Sequence, residues 1–352
     1  MIAPMWRKEP EPMVPLELLM SVCLGAVGSA GCLSVLAHAL PNDFVLACVS
    51  ERSNHVMPAR QIGGLGVVPA VLVLLVTVGP AFGLDPLLAT CLGASGTILL
   101  VTGHLDDRSD LPVAVRVAAQ SVACTIAVFG LGPDFHLLAN IVPREIEVPV
   151  LIIALMWFIN LTNFMDGLDL MVVAGLGVPL LAVLIFALSG RVASDTGVLA
   201  GLLAGALAAF GLFNRPPARI FLGDAGSLPI GLMAGITFFK VALDTHVSTG
   251  FVLPLYFCAD ASVTVVMRML AGEPIFAGHS RHAYQVARRK GWSVLHVIGW
   301  VATLNAVLAL CALGGLLASG QIGADAGFVV AAAAVAFVIV RFRQGGEGQL
   351  PR

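Results

Sequence analysis

The sequence predicts an all-α membrane protein of about eleven transmembrane helices, with its N-terminus outside, its C-terminus cytoplasmic and its catalytic loops on the cytoplasmic face. Three observations lead there. Of 352 residues, 58% are hydrophobic and only 11% charged. The mean hydropathy is +0.96, more apolar surface than a soluble fold can hide. The apolar runs are continuous and rich in Leu, Ala and Gly rather than alternating at period two, which argues against a β-barrel.

Crossing roughly 30 Å of hydrocarbon takes about 20 apolar residues as a helix, because a helix satisfies its own backbone hydrogen bonds. The predicted spans are 16–40, 64–82, 86–103, 113–131, 148–165, 170–189, 196–214, 227–244, 249–270, 294–318 and 326–341. They form one polytopic domain over 16–341, with a short N-terminal tail at 1–15 and a cytoplasmic tail at 342–352. The first apolar stretch is longer than a signal-peptide core and is expected to stay uncleaved, despite Ala37-His38-Ala39 after it. Seven cysteines without a CxxC pair make a disulfide framework or zinc knuckle improbable.

Orientation follows from the distribution of lysine and arginine. With the N-terminus outside, the inner loops hold fourteen: Arg52, Arg60, Arg108, Arg116, Arg215, Arg219, Arg268, Arg281, Arg288, Arg289, Lys290, Arg341, Arg343 and Arg352. The outer side holds Arg7, Lys8, Arg144 and Arg191, and Lys240 falls near a helix end. That assignment also gathers every polar cluster with chemical potential on the inner face. The clusters are ERSNHVMPAR (51–60), GHLDDRSDLP (103–112), NLTNFMDGLDL (160–170), RIFLGDAGS (219–227) and GHSRHAYQVARRKGW (278–292).

Each cluster has a structural and a chemical reading. GHLDDRSDLP either ends the third helix in a solvated turn or uses adjacent Asp106 and Asp107 on a cation, since carboxylates this close repel unless a cation or proton offsets them. Mg²⁺ needs few protein carboxylates, because it keeps waters and takes substrate phosphates as other ligands. Asn163, Asp166 and Asp169 share a face if their helix continues past Gly167; otherwise they cap the next helix at Leu170. Asp224 and Ser227 suit caps for a helix starting at Leu228, whose first amides would also suit a phosphate. His279 and His282 lack the further ligand a zinc site needs, but with Arg281 they suit a diphosphate. Asp260 and Lys240 are ionisable residues in or near late spans. Asp260 is expected to face the inner site, and Lys240 to snorkel outward.

Together these clusters imply transfer chemistry between a phosphorylated soluble molecule and a lipid. GxxxxGK[ST] and GxGxxG are both absent, so neither an ATP-driven nor a dinucleotide mechanism is supported. In this arrangement NLTNFMDGLD, FLGDAGS, GHLDDRSDLP and the HxxH loop resemble the polyprenyl-phosphate N-acetylhexosamine-1-phosphate transferases, over about residues 50 to 295. ERSNHVMPARQIGGLG and GHSRHAYQVARRKGWS look most like the branch that starts O-antigen chains of lipopolysaccharide. The loop order HSRH in place of HRSH, and Ala59 and Gln61 in the first loop, depart from that branch.

The resemblance implies transfer of N-acetylhexosamine-1-phosphate from a UDP-N-acetylhexosamine to undecaprenyl phosphate, with release of UMP, in the bacterial inner membrane. It implies Mg²⁺, with Mn²⁺ as an alternative, held by Asp224 with Asn163 nearby. Phe221 would stack on uracil and Asp169 would accept from the uracil edge. Asp106 and Asp107 would handle the lipid phosphate, Asp166 would help hold the nucleotide sugar, and His279, Arg281 and His282 would hold its diphosphate. A homodimer is compatible with this reading, and no nucleic-acid partner is expected. The rivals are a secondary transporter using Asp260 and Lys240 as coupling charges, and an intramembrane protease built on Gly93-Ala94-Ser95-Gly96, for which no deep partner histidine exists.

Overall fold

The computed structural model describes residues 15–41, 43–47, 59–138, 141–273, 280–318 and 320–345. Thirteen helices run through them: α1 (Pro15–Ala39), α2 (Gly63–Thr77), α3 (Pro86–Ser109), α4 (Val113–Gly130), α5 (Arg144–Met165), α6 (Val178–Leu188), α7 (Ser194–Phe213), α8 (Asp224–Asp244), α9 (Val247–Val252), α10 (Leu255–Leu270), α11 (Ala283–Arg289), α12 (Val294–Leu317) and α13 (Gln321–Gln344). Extended structure among the described residues is confined to a two-strand pairing, Leu46–Ala47 with Ala59–Arg60, and a parallel bridge from Arg60 to Ile220. The chain is an all-α membrane protein. Eight of these helices are long and apolar enough to cross a membrane, and each other predicted span has a shorter helical counterpart.

Two predicted boundaries shift for local reasons. The third span was expected to end at 103, but α3 continues to Ser109, so Asp106 and Asp107 are helical rather than loop residues. Their carboxylates bind neighbouring elements, which rewards keeping that turn helical. The span predicted over 249–270 is two pieces, α9 and α10, divided at Pro254. Proline lacks the amide that a continuous helix would use and its ring crowds the preceding turn.

The core is built around α7 and α8. In these two, 83% and 89% of the apolar window is buried, against 28% in α1 and α13, so the first pair is interior and the second pair peripheral. Small residues allow α1 to lie directly on α7. A Cβ on Gly25 would meet the Leu202 carbonyl oxygen at 2.2 Å, and one on Gly205 would meet that of Val22 at 2.0 Å. Between helices already surrounded by apolar groups, close approach of this kind supplies the packing energy that water-driven burial supplies in soluble proteins.

The length of α8 sets the scale of the molecule. Asp224 and Asp244 stand twenty residues apart in one helix, a rise of about 30 Å, close to the hydrocarbon thickness of a bilayer. At the far end, Lys240 Nζ lies 2.9 Å from Asp195, while Asp244 accepts from the Ala193 amide at 3.0 Å and the Thr196 hydroxyl at 2.9 Å. At the near end stand the carboxylates described next.

Candidate active site

Three helix ends meet at Asp224. The C-terminal turn of α3 brings Asp107, whose carboxylate accepts from the backbone amides of Asp224 at 3.0 Å and Ala225 at 3.1 Å. The last turn of α5 brings Asn163, whose Nδ2 donates to Asp224 Oδ1 at 2.7 Å and to the Ser227 hydroxyl at 3.0 Å. Sequence spacing cast Asp224 and Ser227 as caps for a helix starting at Leu228. Instead the helix starts four residues earlier, and Asp107 supplies its cap from another element. The first two amides of α8 are therefore committed to a carboxylate and are not a phosphate cradle.

Glycine makes this junction physically accessible. Gly223 turns at φ +69°, and a Cβ there would sit 2.6 Å from Asp107 Oδ2. On the neighbouring helices, a Cβ on Gly103 would meet the Asp224 carbonyl at 2.4 Å, and one on Gly64 would meet the Gly226 nitrogen at 2.2 Å. The FLGD strip itself is held like a short sheet edge. Phe221 donates its amide to Arg60 at 2.9 Å, and its carbonyl accepts from Gly63 at the same distance.

The remaining predicted residues separate into those the fold brings to this junction and those it commits elsewhere. Asp106, one residue before Asp107, also reaches the Asp224 side chain, while pairing with Arg116 at 3.0 Å and accepting from the Leu111 amide at 2.6 Å. Asn163, Asp166 and Asp169 do not lie on one continuous face, because α5 stops at Met165 and Asp166 is its cap. Asp169 is 5% exposed and turns to the Ala218 amide at 3.0 Å. His282 is brought to the same region, stacking on Phe164 at 6.1 Å and on Tyr284 at 6.0 Å between ring centroids. Arg281 pairs with Glu273, and His279 lies outside the described residues, as do positions 51–58 of the first polar cluster.

Two contributors were not anticipated, and a third, Asp260, was expected to face the inner site itself. Arg116 stands in the first turn of α4, and the three-residue connection after α3 folds it back onto Asp106. Tyr284 donates its hydroxyl to the Phe164 carbonyl at 3.0 Å and packs on Gly167, fixing the segment between Asn163 and Asp166. Asp260, completely buried, accepts from the Ala283 amide at 2.7 Å, the Tyr284 amide at 3.4 Å and the Tyr256 hydroxyl at 3.2 Å. It therefore caps α11 and sets the position of His282 and Tyr284, rather than presenting its charge to the site. A carboxylate from one element capping a helix from another occurs twice here, at Asp107 and at Asp260.

Asp166 carries the clearest electrostatic signal. Burial first, then the negative charges of Asp224, Asp107 and Asp169, push its carboxyl well above the usual carboxylate range. Its side chain makes no hydrogen bond among the described residues. Carboxylates gathered without a compensating cation fit a hard divalent ion, which would favour the ionised forms and could use Asp224 and Asp166 as its few protein ligands. Asp107 is less suited, since both its oxygens are engaged by backbone amides.

Residues 89–242 match the profile of glycosyl transferase family 4. The chain is similar to a probable undecaprenyl-phosphate N-acetylglucosaminyl 1-phosphate transferase of Bacillus subtilis, 27% identical over 281 residues that cover 74% of this chain and 75% of the other. It is similar to a decaprenyl-phosphate N-acetylglucosaminephosphotransferase of Mycolicibacterium smegmatis, 34% identical over 209 residues, 53% of this chain and 50% of the other. A shorter stretch of 80 residues is 46% identical to a phospho-N-acetylmuramoyl-pentapeptide-transferase of Chlamydia muridarum, covering 22% and 23%. The chain thus spans three quarters of the first of these relatives and half of the second. Asp107, Asn163 and Asp224 all fall inside the segment that is similar to glycosyl transferase family 4, and they bond directly to one another or to one another's backbone.

Proposed function

We propose that the protein transfers N-acetylhexosamine-1-phosphate from a UDP-sugar to undecaprenyl phosphate, starting a lipid-linked glycan on the cytoplasmic face of a bacterial inner membrane. An oxygen of the lipid phosphate attacks the phosphorus that bears the sugar, and the bond to UMP breaks. The products are a lipid diphosphosugar and UMP. The observation that carries this reading is the Asp107–α8–Asn163–Asp224 junction, which unites the polar motifs of three helix ends at one level of the bundle.

The chemistry asks for positioning and charge neutralisation more than for covalent help. A phosphate monoester with a second pKa near about 6 is already mostly dianionic at neutral pH, so no protein base is needed to activate it. Asp224 and Asp166, with Asn163 orienting Asp224, would hold Mg²⁺, which would supply charge neutralisation on the diphosphate. Asp107 fixes the start of α8 so that Asp224 keeps its place, a positioning role. Asp106 holds Arg116, and that half-exposed guanidinium meets the lipid phosphate. His282 and Arg281 serve the diphosphate, and Phe221 and Asp169 the uracil. The O-antigen branch is the favoured pathway on the strength of the loop likeness alone.

The test is UMP release by the purified protein with a UDP-N-acetylhexosamine, undecaprenyl phosphate and Mg²⁺. UMP is expected only when all three are present. Failure with UDP-GlcNAc, UDP-QuiNAc, UDP-FucNAc and UDP-GalNAc alike would remove the proposal. The transporter alternative gains nothing from the geometry, since Lys240 pairs with Asp195 and Asp260 caps α11.

A further inference from the structure

The strip that carries Phe221 has a second side, away from the carboxylates. There, between the C-terminal ends of α1 and α7, lies a half-open cavity of about 510 Å³, lined on its polar side by Arg60, Arg215 and Arg219 and on its apolar side by Ala37, Leu212 and Phe213. No acidic side chain lines it among the described residues. Arg60 is accounted for by the fold: it donates to the carbonyls of Ala37 and Leu40, both at 3.2 Å, and so satisfies the end of α1. The side chains of Arg215 and Arg219, both exposed residues, make no hydrogen bond or ion pair among the described residues.

Two guanidinium groups turned into a concavity without a counter-charge imply an anion. Planar N–H pairs match phosphate oxygens, and arginine is weakly enough hydrated to bind them at a protein surface. The apolar wall narrows the class further. Leu212 is 59% exposed in the final turn of a mostly buried helix, where the apolar run of α7 ends, so the cavity's apolar wall is also open to its surroundings. A ligand with a phosphate head and hydrocarbon chains fits both walls; a soluble phosphate fits only one.

We propose that this cavity holds the phosphodiester head of an anionic membrane phospholipid, with Arg215 and Arg219 on the phosphate and an acyl chain beside Leu212 and Phe213. Basic pockets between transmembrane helices are a general means of holding such heads. The bound lipid braces the strip from Ala218 to Phe221, which Asp169 and Arg60 hold from its other sides. The proposal does not depend on the transferase reading.

Native mass spectrometry of the full-length protein, titrated in detergent with phosphatidylglycerol or phosphatidylcholine, tests it. Wild type is expected to retain one phosphatidylglycerol in preference to phosphatidylcholine. Arg215→Gln with Arg219→Gln is expected to weaken that retention on the order of 10- to 30-fold, from the loss of two arginine contacts to an anionic head. Arg289→Gln with Arg343→Gln, which removes equal charge elsewhere, is expected to leave it intact. Equal retention by the Arg215/Arg219 variant and wild type overturns the proposal. Equal loss in the Arg289/Arg343 variant does so too, because it would show diffuse attraction, and displacement of the lipid by equimolar inorganic phosphate would show that the cavity reads phosphate alone.

Discussion

At the scale of single residues, the site turns on how each carboxylate is compensated. Asp224 is oriented by Asn163 and sits on a helix end that Asp107 already caps, which places its carboxyl at the centre of the junction. Asp224→Asn should lower turnover on the order of 10²- to 10³-fold, a loss that added nucleotide sugar does not rescue. Near-normal UMP release in that variant would take Asp224 out of the site. Asp166 makes a different prediction, in stability. Below about pH 4 its carboxyl is protonated both folded and unfolded. Above that, the unfolded chain releases the proton while the folded protein, with its raised pKa, retains it, so the metal-free protein loses stability as pH rises. Asp166→Asn lacks that loss. In EDTA its melting temperature should exceed that of wild type by more at pH 8 than at pH 5, and saturating Mg²⁺ should narrow the gap. A gap independent of pH would rule this account out. The family resemblance, not motif spacing, implied Asn163 near Asp224, and nothing in the sequence told that Asp107 would cap α8 while Asp106 paired with Arg116, because one helical step of about 100° separates neighbours and only the surrounding elements decide which partner each meets.

At the scale of elements, the junction depends on backbones closer than side chains allow. Gly64 and Gly103 admit α2 and α3 against the first turn of α8, where an added methyl would fall within 2.4 Å of backbone atoms that cannot swing aside. Gly103→Ala or Gly64→Ala should each cost about 1–3 kcal/mol by overpacking, seen as a lower melting temperature, and should impair UMP release further by moving Asp107 or the FLGD strip. Gly299→Ala and Gly314→Ala, in α12 with open space where the methyl would go, should be neutral or stabilising by about 0.5–1 kcal/mol from helix propensity. If the two pairs behaved alike, close approach would not be what those glycines provide. Hydropathy located nearly every helix because its signal spans about twenty residues. It could not locate the division at Pro254 or the extension of α3 to Ser109, since the first is one residue's missing amide and the second rests on distant partners for Asp106 and Asp107.

At the scale of the whole molecule, the polar groups gather at two levels separated by the length of α8. Asp195, Lys240 and Asp244 occupy one level, and Asp107, Asn163, Asp166 and Asp224 the other, about 30 Å away by helical rise. A slab between them has the thickness of a bilayer, so both sets reach water only if the membrane lies across α7 and α8. Which level faces the cytoplasm follows from charge: Arg108, Arg116, Arg215, Arg219, Arg288, Arg289, Lys290, Arg341 and Arg343 fall on the carboxylate side in the orientation preferred from sequence, and Arg144 and Arg191 on the other. The donor proposed for this site is soluble and cytoplasmic, so the two arguments must agree. Single cysteines placed at Ser109 and at Arg191, in a background whose native cysteines are replaced, separate the outcomes. In spheroplasts a membrane-impermeant maleimide should label Arg191→Cys directly and Ser109→Cys only after permeabilisation. The reverse pattern would put the carboxylates on the outer side, away from any nucleotide sugar, and both the orientation and the proposed reaction would fall together.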